Sequence, residues 1–244
     1  MIINFYPIVG HSGELIGRAV EKCLLEWGLK KILTITVDNA SSNDLVIKYL
    51  KQIVNLWDGS VFNVEFLHMR CAAHILNLVV KDGLKDVDVS IMRVCVAMKF
   101  VRPSLARLQK FKYYVEEENI KCKGLVCLDI ETRWNSTYSM LKSALVFRKA
   151  FKNMKTKYLP YTKELRQVGS ASDDEDWDKV ACFLPFLEIF YETTLRFSIS
   201  RYVTNNTFVE EIYDIGYTIN CYVDNLNDGL KSMARQMKLK FVKY

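Results

Sequence analysis

Hydrophobic residues recur with two different periods along the chain, and the change between them falls near residue 88. Before that point, short β-branched runs alternate with segments of helical period, in the order strand, helix, strand, helix, strand, helix. That order is typical of an α/β fold with right-handed crossovers. Beyond residue 88 the helical period dominates. The pattern therefore predicts an α/β domain over residues 1–88 and a mostly helical domain over residues 89–244.

The individual elements follow from the same periodicity and from the turn residues between them. The predicted strands are Met1–Val9, Ile32–Val37 and Val64–Arg70, each followed by a helix, at Glu14–Trp27, Asn43–Trp57 and from Cys71 onward. The later predicted helices are Ile91–Phe100, Ser104–Val115, Trp134–Met154, Trp177–Phe197 and Phe208–Ala234. A short extended run is predicted at Gly124–Leu128. The acidic stretch over residues 169–176 is predicted to be an exposed loop.

Composition narrows the class of protein. Half of the 244 residues are hydrophobic and a quarter are charged, which is an ordinary balance for a globular protein. No apolar run reaches the 18 or so residues of a membrane span. The seven cysteines lie at irregular spacings, without a Cys-x-x-Cys pair, which favours reduced thiols over a disulfide framework or a zinc finger. We therefore expect no membrane as partner. The chain is also expected to have no small-molecule substrate.

The net charge of +6 is unevenly distributed. Residues 1–88 carry 9 basic and 10 acidic residues, whereas residues 89–157 carry 15 basic and 5 acidic ones. Residues 158–192 reverse the sign, with 3 basic against 8 acidic. A basic stretch of this kind predicts a phosphate-binding surface, with a solvated helix face as the alternative.

Within the basic stretch, several cations fall on successive turns of the predicted helices and have aromatic residues among them. They are Arg93, Lys99, Arg102, Arg107, Lys110 and Lys112. This arrangement suits contact with a nucleic-acid backbone, and such contact weakens steeply as salt rises. The same pattern also occurs on ordinary surface helices.

Two polar groups follow predicted strands and are candidates for a site. Asp38 stands at the end of one strand, where a carboxylate can bind a metal ion, although an Asp in that position is also a common turn former or helix cap. Cys71 and His74 stand at the next junction, at a spacing that places both on one helix face. Two ligands fall short of a zinc site, so a packed or hydrogen-bonded pair is the interpretation favoured there.

Arg133 and Trp134 form the other candidate. An indole offers a flat face on which an unpaired base can stack, and the neighbouring guanidinium can bind a phosphate. The alternative is structural, because Trp134 also stands where a predicted helix begins and could pack in the core.

Three blocks, in this order and spacing, carry a resemblance to a known family. They run from Thr34 to Asp44, from Arg70 to Leu84 with its Cys-x-x-His, and from Leu128 to Tyr138. Together they resemble the hAT-superfamily transposases of the plant RICESLEEPER type, which combine a BED zinc finger with an RNase H-like catalytic domain. The resemblance covers nearly the whole chain, as an internal fragment. It implies a partial RNase H-like fold followed by a helical insertion domain.

The resemblance also assigns roles to the candidate residues. Asp38 matches the second acidic residue of the family's Asp, Asp, Glu triad, which holds Mg²⁺ or Mn²⁺ in the intact enzyme. Cys71 and His74 match a motif near the target strand, and Trp134 matches the tryptophan that stabilises a flipped base. Base stacking is therefore the interpretation favoured for Trp134, with the other basic residues contacting DNA.

The resemblance further implies what this chain does by itself. Neither the first Asp nor the final Glu of the triad has a counterpart in it, so we expect a DNA-binding remnant that is catalytically silent, without a cofactor, and nuclear. Two alternatives are open: part of an active cut-and-paste transposase with a truncated gene model, and a domesticated protein-interaction module. A homo-oligomer, if formed, is expected to assemble through regions outside this chain.

Overall fold

The computed structural model describes residues 6–8, 10, 12–57, 64–85, 89–121, 134–167, 171–198 and 205–244, with side chains from 208 onward in the last range. These residues form eleven helices and two short strands. The mostly helical architecture predicted beyond residue 88 is confirmed. The sheet content before it is smaller than predicted, since the described part holds one two-stranded sheet. The predicted strand Met1–Val9 and the run Gly124–Leu128 lie largely or wholly outside the described residues.

Contacts between Cα atoms divide the chain into two compact units, residues 1–75 and residues 76–244. The division falls inside helix α3, which spans Ala72–Gly83. The predicted boundary after residue 88 stays a prediction.

The N-terminal unit is a strand–helix–strand arrangement preceded by a helix. Its elements are α1 (Gly13–Glu26), β1 (Ile35–Val37), α2 (Ser41–Leu56) and β2 (His68–Arg70). The two strands pair in parallel, with Ile35 opposite His68 and Val37 opposite Arg70. Their register brings the carboxyl ends of both strands to the same edge.

A compact apolar core holds this unit together. It is built on Leu50 and Val54 of α2 and on Val64 and Leu67, all less than 9% exposed. Val64 and Leu67 were predicted to lie within a strand. They instead belong to a turn closed by a hydrogen bond from the Leu67 amide to the Val64 carbonyl, 3.2 Å. The predicted strand over 64–70 is therefore shortened to 68–70, because Val64 and Leu67 lie in this turn.

Close approach of α1 to α2 depends on two glycines. A Cβ atom at Gly13 would lie 2.5 Å from the Ser42 carbonyl oxygen, and one at Gly17 would lie 2.7 Å from the ring of Tyr49. Any larger residue at Gly13 would therefore push the helix backbones apart.

The C-terminal unit consists of the remainder of α3 and eight further helices. They are α4 (Val89–Val101), α5 (Leu105–Glu117), α6 (Trp134–Val146), α7 (Arg148–Lys157), α8 (Leu159–Gln167), α9 (Asp174–Phe197), α10 (Asn205–Tyr222) and α11 (Asp228–Phe241). Helix α9 is the central element: it contacts α4, α6 and α10. Its buried side chains recur every three or four residues, at Trp177, Val180, Phe183, Leu187 and Phe190.

Two predicted helices are interrupted in the structure, and one observed helix was not predicted. The helix predicted over 134–154 is interrupted at Phe147, whose amide bonds to the Ala144 carbonyl before α7 begins. The helix predicted over 208–234 is interrupted because Asn227 caps α11, its side chain accepting from the Leu230 amide at 3.1 Å. Helix α8 was not predicted.

The acidic segment also differs from the prediction of an exposed loop. Ala171 and Ser172 are buried, and Asp173 is the N-cap of α9. Asp173 and Asp176 form a reciprocal capping box, and the Asp176 side chain is buried. Residues 169 and 170 of the predicted loop lie outside the described part. The acidic residues thus begin a helix rather than form a loop, although Asp173, Asp174 and Glu175 are exposed.

Candidate functional site

The carboxyl edge of the β1–β2 pair brings two of the predicted site residues together. Asp38 follows Val37 at the end of β1, and Cys71 follows Arg70 at the end of β2, and those two strand residues are paired. The Cys71 amide donates to the Val37 carbonyl at 2.9 Å, which extends the pairing to this edge. Asp38 and Cys71 therefore occupy adjacent positions beyond the strand ends.

The Asp38 carboxylate is exposed and held by local hydrogen bonds. Its Oδ1 atom accepts from the Ala40 amide at 3.0 Å and from Asn43 Nδ2 at 2.6 Å. Asn43 Nδ2 also bonds the Asp38 carbonyl at 3.3 Å. Asp38 is thus a turn former before α2, as its alternative interpretation holds. Its Oδ2 atom accepts no hydrogen bond from the described residues, so this oxygen is the one left for a ligand.

Sequence reasoning did not single out Asn43, although it fixes the orientation of the Asp38 carboxylate. The signal was available: an Asn in the first turn of a predicted helix, five residues after an Asp at a strand end, is well placed to bond back to it.

The described residues at this edge do not fit a two-metal centre by themselves. A two-metal site needs several carboxylates around the pair of ions. No group of three or more His, Cys, Asp or Glu side chains capable of holding a metal occurs in the described part of the chain. Asp38 offers one free oxygen, so further carboxylates would have to come from elsewhere.

Cys71 and His74 lie at the start of α3, and both are half-buried. The Cys71 carbonyl accepts a hydrogen bond from the Ile75 amide at 3.0 Å, at the point where the helix begins. In the structure, these two residues form part of the start of α3, beside Asp38. The packed or hydrogen-bonded pair favoured from the sequence stays a prediction.

Trp134 begins α6 and is 2% exposed. Its amide donates to Asn77 Oδ1 at 3.3 Å, and its ring lies 6.4 Å from Tyr191, edge to face, and 6.5 Å from Tyr138. The indole Nε1 is buried without a hydrogen-bond partner among the described residues. The structure matches the core-packing interpretation, and base stacking would require the ring to leave this cluster. Arg133 lies outside the described residues.

Two of the predicted DNA-contacting arginines are engaged in ion pairs. Arg93 Nη1 lies 3.3 Å from the buried carboxylate of Asp176. Arg107 forms a bidentate pair with Glu164, at 3.0 and 2.6 Å, and stacks over the Phe100 ring at 4.1 Å. A phosphate at either position would have to compete with a carboxylate.

The other four predicted cations differ in exposure. Lys99, Arg102 and Lys112 are exposed. Lys110 is half-buried, with its ammonium 4.6 Å from the Tyr113 ring centre and 5.1 Å from that of Tyr114. Lys112 has no ion pair with any described residue. The exposed ammonium of Lys112 is therefore accessible to a phosphate backbone.

Ion pairing within the chain extends well beyond Arg93 and Arg107. Three further cations of the basic stretch pair with acids of the following segment: Lys142 with Glu188, Arg148 with Asp178, and Lys152 with Asp174, each at 2.6 Å. The reversal of charge sign along the sequence is therefore complementarity within one folded unit. It corrects the interpretation of the whole basic stretch as a phosphate-binding surface.

These contacts alter the ionisation of the carboxylates involved. A hydrogen bond from Lys142, and then one from Tyr138, lowers the pKa of the Glu188 carboxyl. Hydrogen bonds from Lys152 and Arg148 likewise lower the pKa of Asp174. Both acids thus stay charged at and below neutral pH, which keeps the cations paired.

Comparison with known proteins connects this architecture to a protein family. Residues 69–183 match a family model described as the ZBED1 RNase-like helical domain. The chain is 28% identical to the zinc finger BED domain-containing protein RICESLEEPER 2 of rice over all of its own length. It is 29% identical to a putative AC transposase of maize, also over its full length, and 25% identical over 89% of its length to a putative transcriptional regulator of Talaromyces stipitatus.

The matched region is a part of each relative. The chain spans about a third of the length of the curated relatives it matches, 33% of the rice protein and 30% of the maize protein. In the described residues, no helix is long and apolar enough to cross a membrane.

Proposed function

We propose that this chain, which belongs to the hAT-type family of RICESLEEPER proteins and Ac transposases, is a DNA-binding remnant of a transposase that does not cut DNA by itself. Similarity over its full length to proteins named as transposases and BED zinc finger proteins supports a transposase-derived role. DNA is then its partner, and the nucleus is where it acts.

The observation that carries this proposal is the shared edge of β1 and β2. A strand–helix–strand unit with Asp38 at the end of one strand and Cys71 at the end of its parallel neighbour supports a partial RNase H-like fold. In that fold, carboxylates at strand ends face the nucleic acid. We therefore assign the N-terminal unit to such a fold, with Asp38, Cys71 and His74 on its DNA-facing edge.

The content of that edge supports catalytic silence. Asp38 supplies one free carboxylate oxygen, and the described part of the chain contains no group of three or more His, Cys, Asp or Glu side chains that could hold a metal ion. Mg²⁺ or Mn²⁺, when bound by the intact family enzyme, would activate the attacking oxygen and steady the leaving one. For this chain, the role derived for Asp38 and Asn43 is to present one oriented oxygen.

We expect no cleavage when the purified chain is incubated with end-labelled duplex and hairpin DNA and either cation. The measurement is gel analysis of the strands, beside an Asp38→Asn variant that keeps the turn hydrogen bonds. Cleavage by the wild-type chain that the variant lacks would overturn catalytic silence. It would favour the alternative in which this chain belongs to an active transposase, an alternative supported by the one-third coverage of the relatives.

We expect the affinity for DNA to depend moderately on salt, because the ion pairs occupy many cations of the basic stretch. If Lys99, Arg102, Lys110 and Lys112 supply two to four phosphate contacts, the log–log slope of affinity against salt is about −2 to −4. The measurement is fluorescence anisotropy with labelled duplex DNA. Lys110→Ala combined with Lys112→Ala is expected to make that slope less negative by about 2.

The matched control is Lys30→Ala with Lys31→Ala, two exposed lysines on the approach to β1, at the opposite end of the strand from Asp38. This pair is expected to leave the slope unchanged. A slope near zero for the wild-type chain would contradict DNA binding and favour a protein-interaction module.

A further inference from the structure

Tyr113 is an aromatic residue of α5 that the fold leaves at the surface. The sequence places four aromatic residues among the predicted cations of α4 and α5: Phe100, Phe111, Tyr113 and Tyr114. Phe100, Phe111 and Tyr114 are 5%, 0% and 1% exposed, whereas Tyr113 is 54% exposed. Three of these four rings therefore belong to the core, and Tyr113 is the one of them that a ligand can reach.

Ammonium groups lie near the Tyr113 ring in both directions along α5. Lys110 Nζ is 4.6 Å from the ring centre, and Lys110 has no ion pair with any described residue. One turn beyond Tyr113, Glu117 pairs with Lys157 of α7 at 2.6 Å. This pair neutralises the Glu117 carboxylate and brings a second ammonium group to the same surface.

Glu116 gives this surface a direction. It lies three residues after Tyr113, is exposed, and has no ion pair with any described residue. Its charge repels an anion at that end of the ring. Lys110 and the exposed Lys112 lie on the N-terminal side of Tyr113, so a phosphate group is favoured there.

An exposed ring beside unpaired ammonium groups is suited to an unpaired nucleotide, because the base can stack on the ring while the cations contact its phosphate. In a duplex, the faces of the bases are covered by their neighbours in the stack. We propose that Tyr113 stacks on a base of single-stranded DNA, with Lys110 and Lys112 at the adjoining phosphates. This inference rests on the proposed function, since it specifies a form of DNA that the chain binds.

The neighbours of Tyr113 disfavour a protein partner at this position. The residues one turn before and after it on α5 are Gln109, Lys110, Glu116 and Glu117, all of them polar. The central contacts of a protein interface are usually apolar or aromatic, and lysine and glutamate are depleted there. A single ring among charged side chains therefore fits a nucleotide better than a protein surface.

The test is fluorescence anisotropy of the full chain with labelled oligothymidine and with a labelled duplex. Tyr113→Ala is expected to weaken binding to oligothymidine at least about fivefold, the usual effect of removing one stacking ring, and to change duplex binding by less than about twofold. Tyr113→Phe keeps the ring and is expected to stay within about twofold of wild type on both probes. Because Tyr113 is exposed, both variants are expected to fold, which circular dichroism verifies.

The matched control is Tyr213→Ala on α10. Tyr213 is 69% exposed, but the exposed acids Glu210 and Asp214 lie beside it on the helix. A nucleic-acid strand is repelled there, so this change is expected to leave affinity for both probes unaltered.

Salt dependence separates stacking from phosphate contact. Stacking on a ring releases no counter-ions, so Tyr113→Ala is expected to lower the affinity for oligothymidine without changing the log–log slope against salt. Lys110→Ala with Lys112→Ala is expected to make that slope less negative by about 1.4, since each phosphate contact on a single strand contributes about 0.7.

Three results would overturn the inference: equal losses on oligothymidine and duplex in Tyr113→Ala, no loss on either, or no binding of oligothymidine by the wild-type chain. If duplex binding persists in any of these cases, the proposed function stands without this inference. If the wild-type chain binds neither probe, both are refuted.

Discussion

Trp134→Ala is expected to lower the free energy of unfolding by about 3–5 kcal/mol, the usual cost of removing a large buried aromatic side chain. Trp134 is 2% exposed and packs against Tyr138 and Tyr191, which links α6 to α9. Its removal leaves a cavity between two central helices. The measurement is urea unfolding followed by circular dichroism.

Trp134→Phe is the matched variant, since it keeps an aromatic ring and loses a Nε1 group that has no partner among the described residues. We expect it to cost about 1 kcal/mol. If Trp134 instead stacks on an unpaired base, Trp134→Ala would reduce affinity for flap or hairpin DNA selectively and leave the unfolding midpoint nearly unchanged. That result would contradict the packing role.

Asp176→Ala is expected to cost about 2–3 kcal/mol. The Asp176 side chain is 4% exposed, and it accepts from the Asp173 amide at 2.9 Å and from Arg93 at 3.3 Å. Its removal opens the capping box of α9 and leaves the Arg93 guanidinium, 30% exposed, without its counter-charge. The measurement is again the urea unfolding curve. Asp178→Ala is the control: Asp178 pairs with Arg148 but is 69% exposed, so we expect a change within about 0.5 kcal/mol.

The contribution of Asp176 should also depend on pH. Burial would raise the pKa of its carboxyl, but hydrogen bonds from Ser90 and Asp173, together with the charge of Arg93, outweigh burial and lower it. A lowered folded-state pKa stabilises the protein above the ordinary Asp value of about 3.9 and loses that effect as pH falls through the folded value. The difference between wild type and Asp176→Ala is therefore expected to be constant from about pH 5 to 7 and to shrink below about pH 4. A difference that grows on acidification would contradict this account.

Elements with a strong period and clear caps were predictable from the sequence. Helix α1, for example, begins after the N-cap Ser12 and is followed by Gly28, whose φ of +69° suits glycine. The interruption at Phe147 was not predictable, because this residue continues the apolar period of the helix and is itself buried. Helix α8 was missed because Pro160 suggests a break, whereas it lies in the first turn, where proline is tolerated.

The candidate site was predictable where it depends on strand order and not where it depends on tertiary contacts. The adjacency of Asp38 and Cys71 follows from two parallel strands ending at one edge. The partners of Arg93 and Arg107 lie 83 and 57 residues away in sequence, so periodicity could not identify them. Burial of Trp134 likewise depends on α9, a helix more than 40 residues further along.

The pairing of the basic stretch with α9 has a consequence for how its charge is counted. In effect α9 is an internal counter-ion, because its carboxylates pair with cations that would otherwise attract any phosphate backbone. The charge summed along the sequence from residue 89 to residue 157 therefore overstates the positive charge that this part of the fold presents to a ligand.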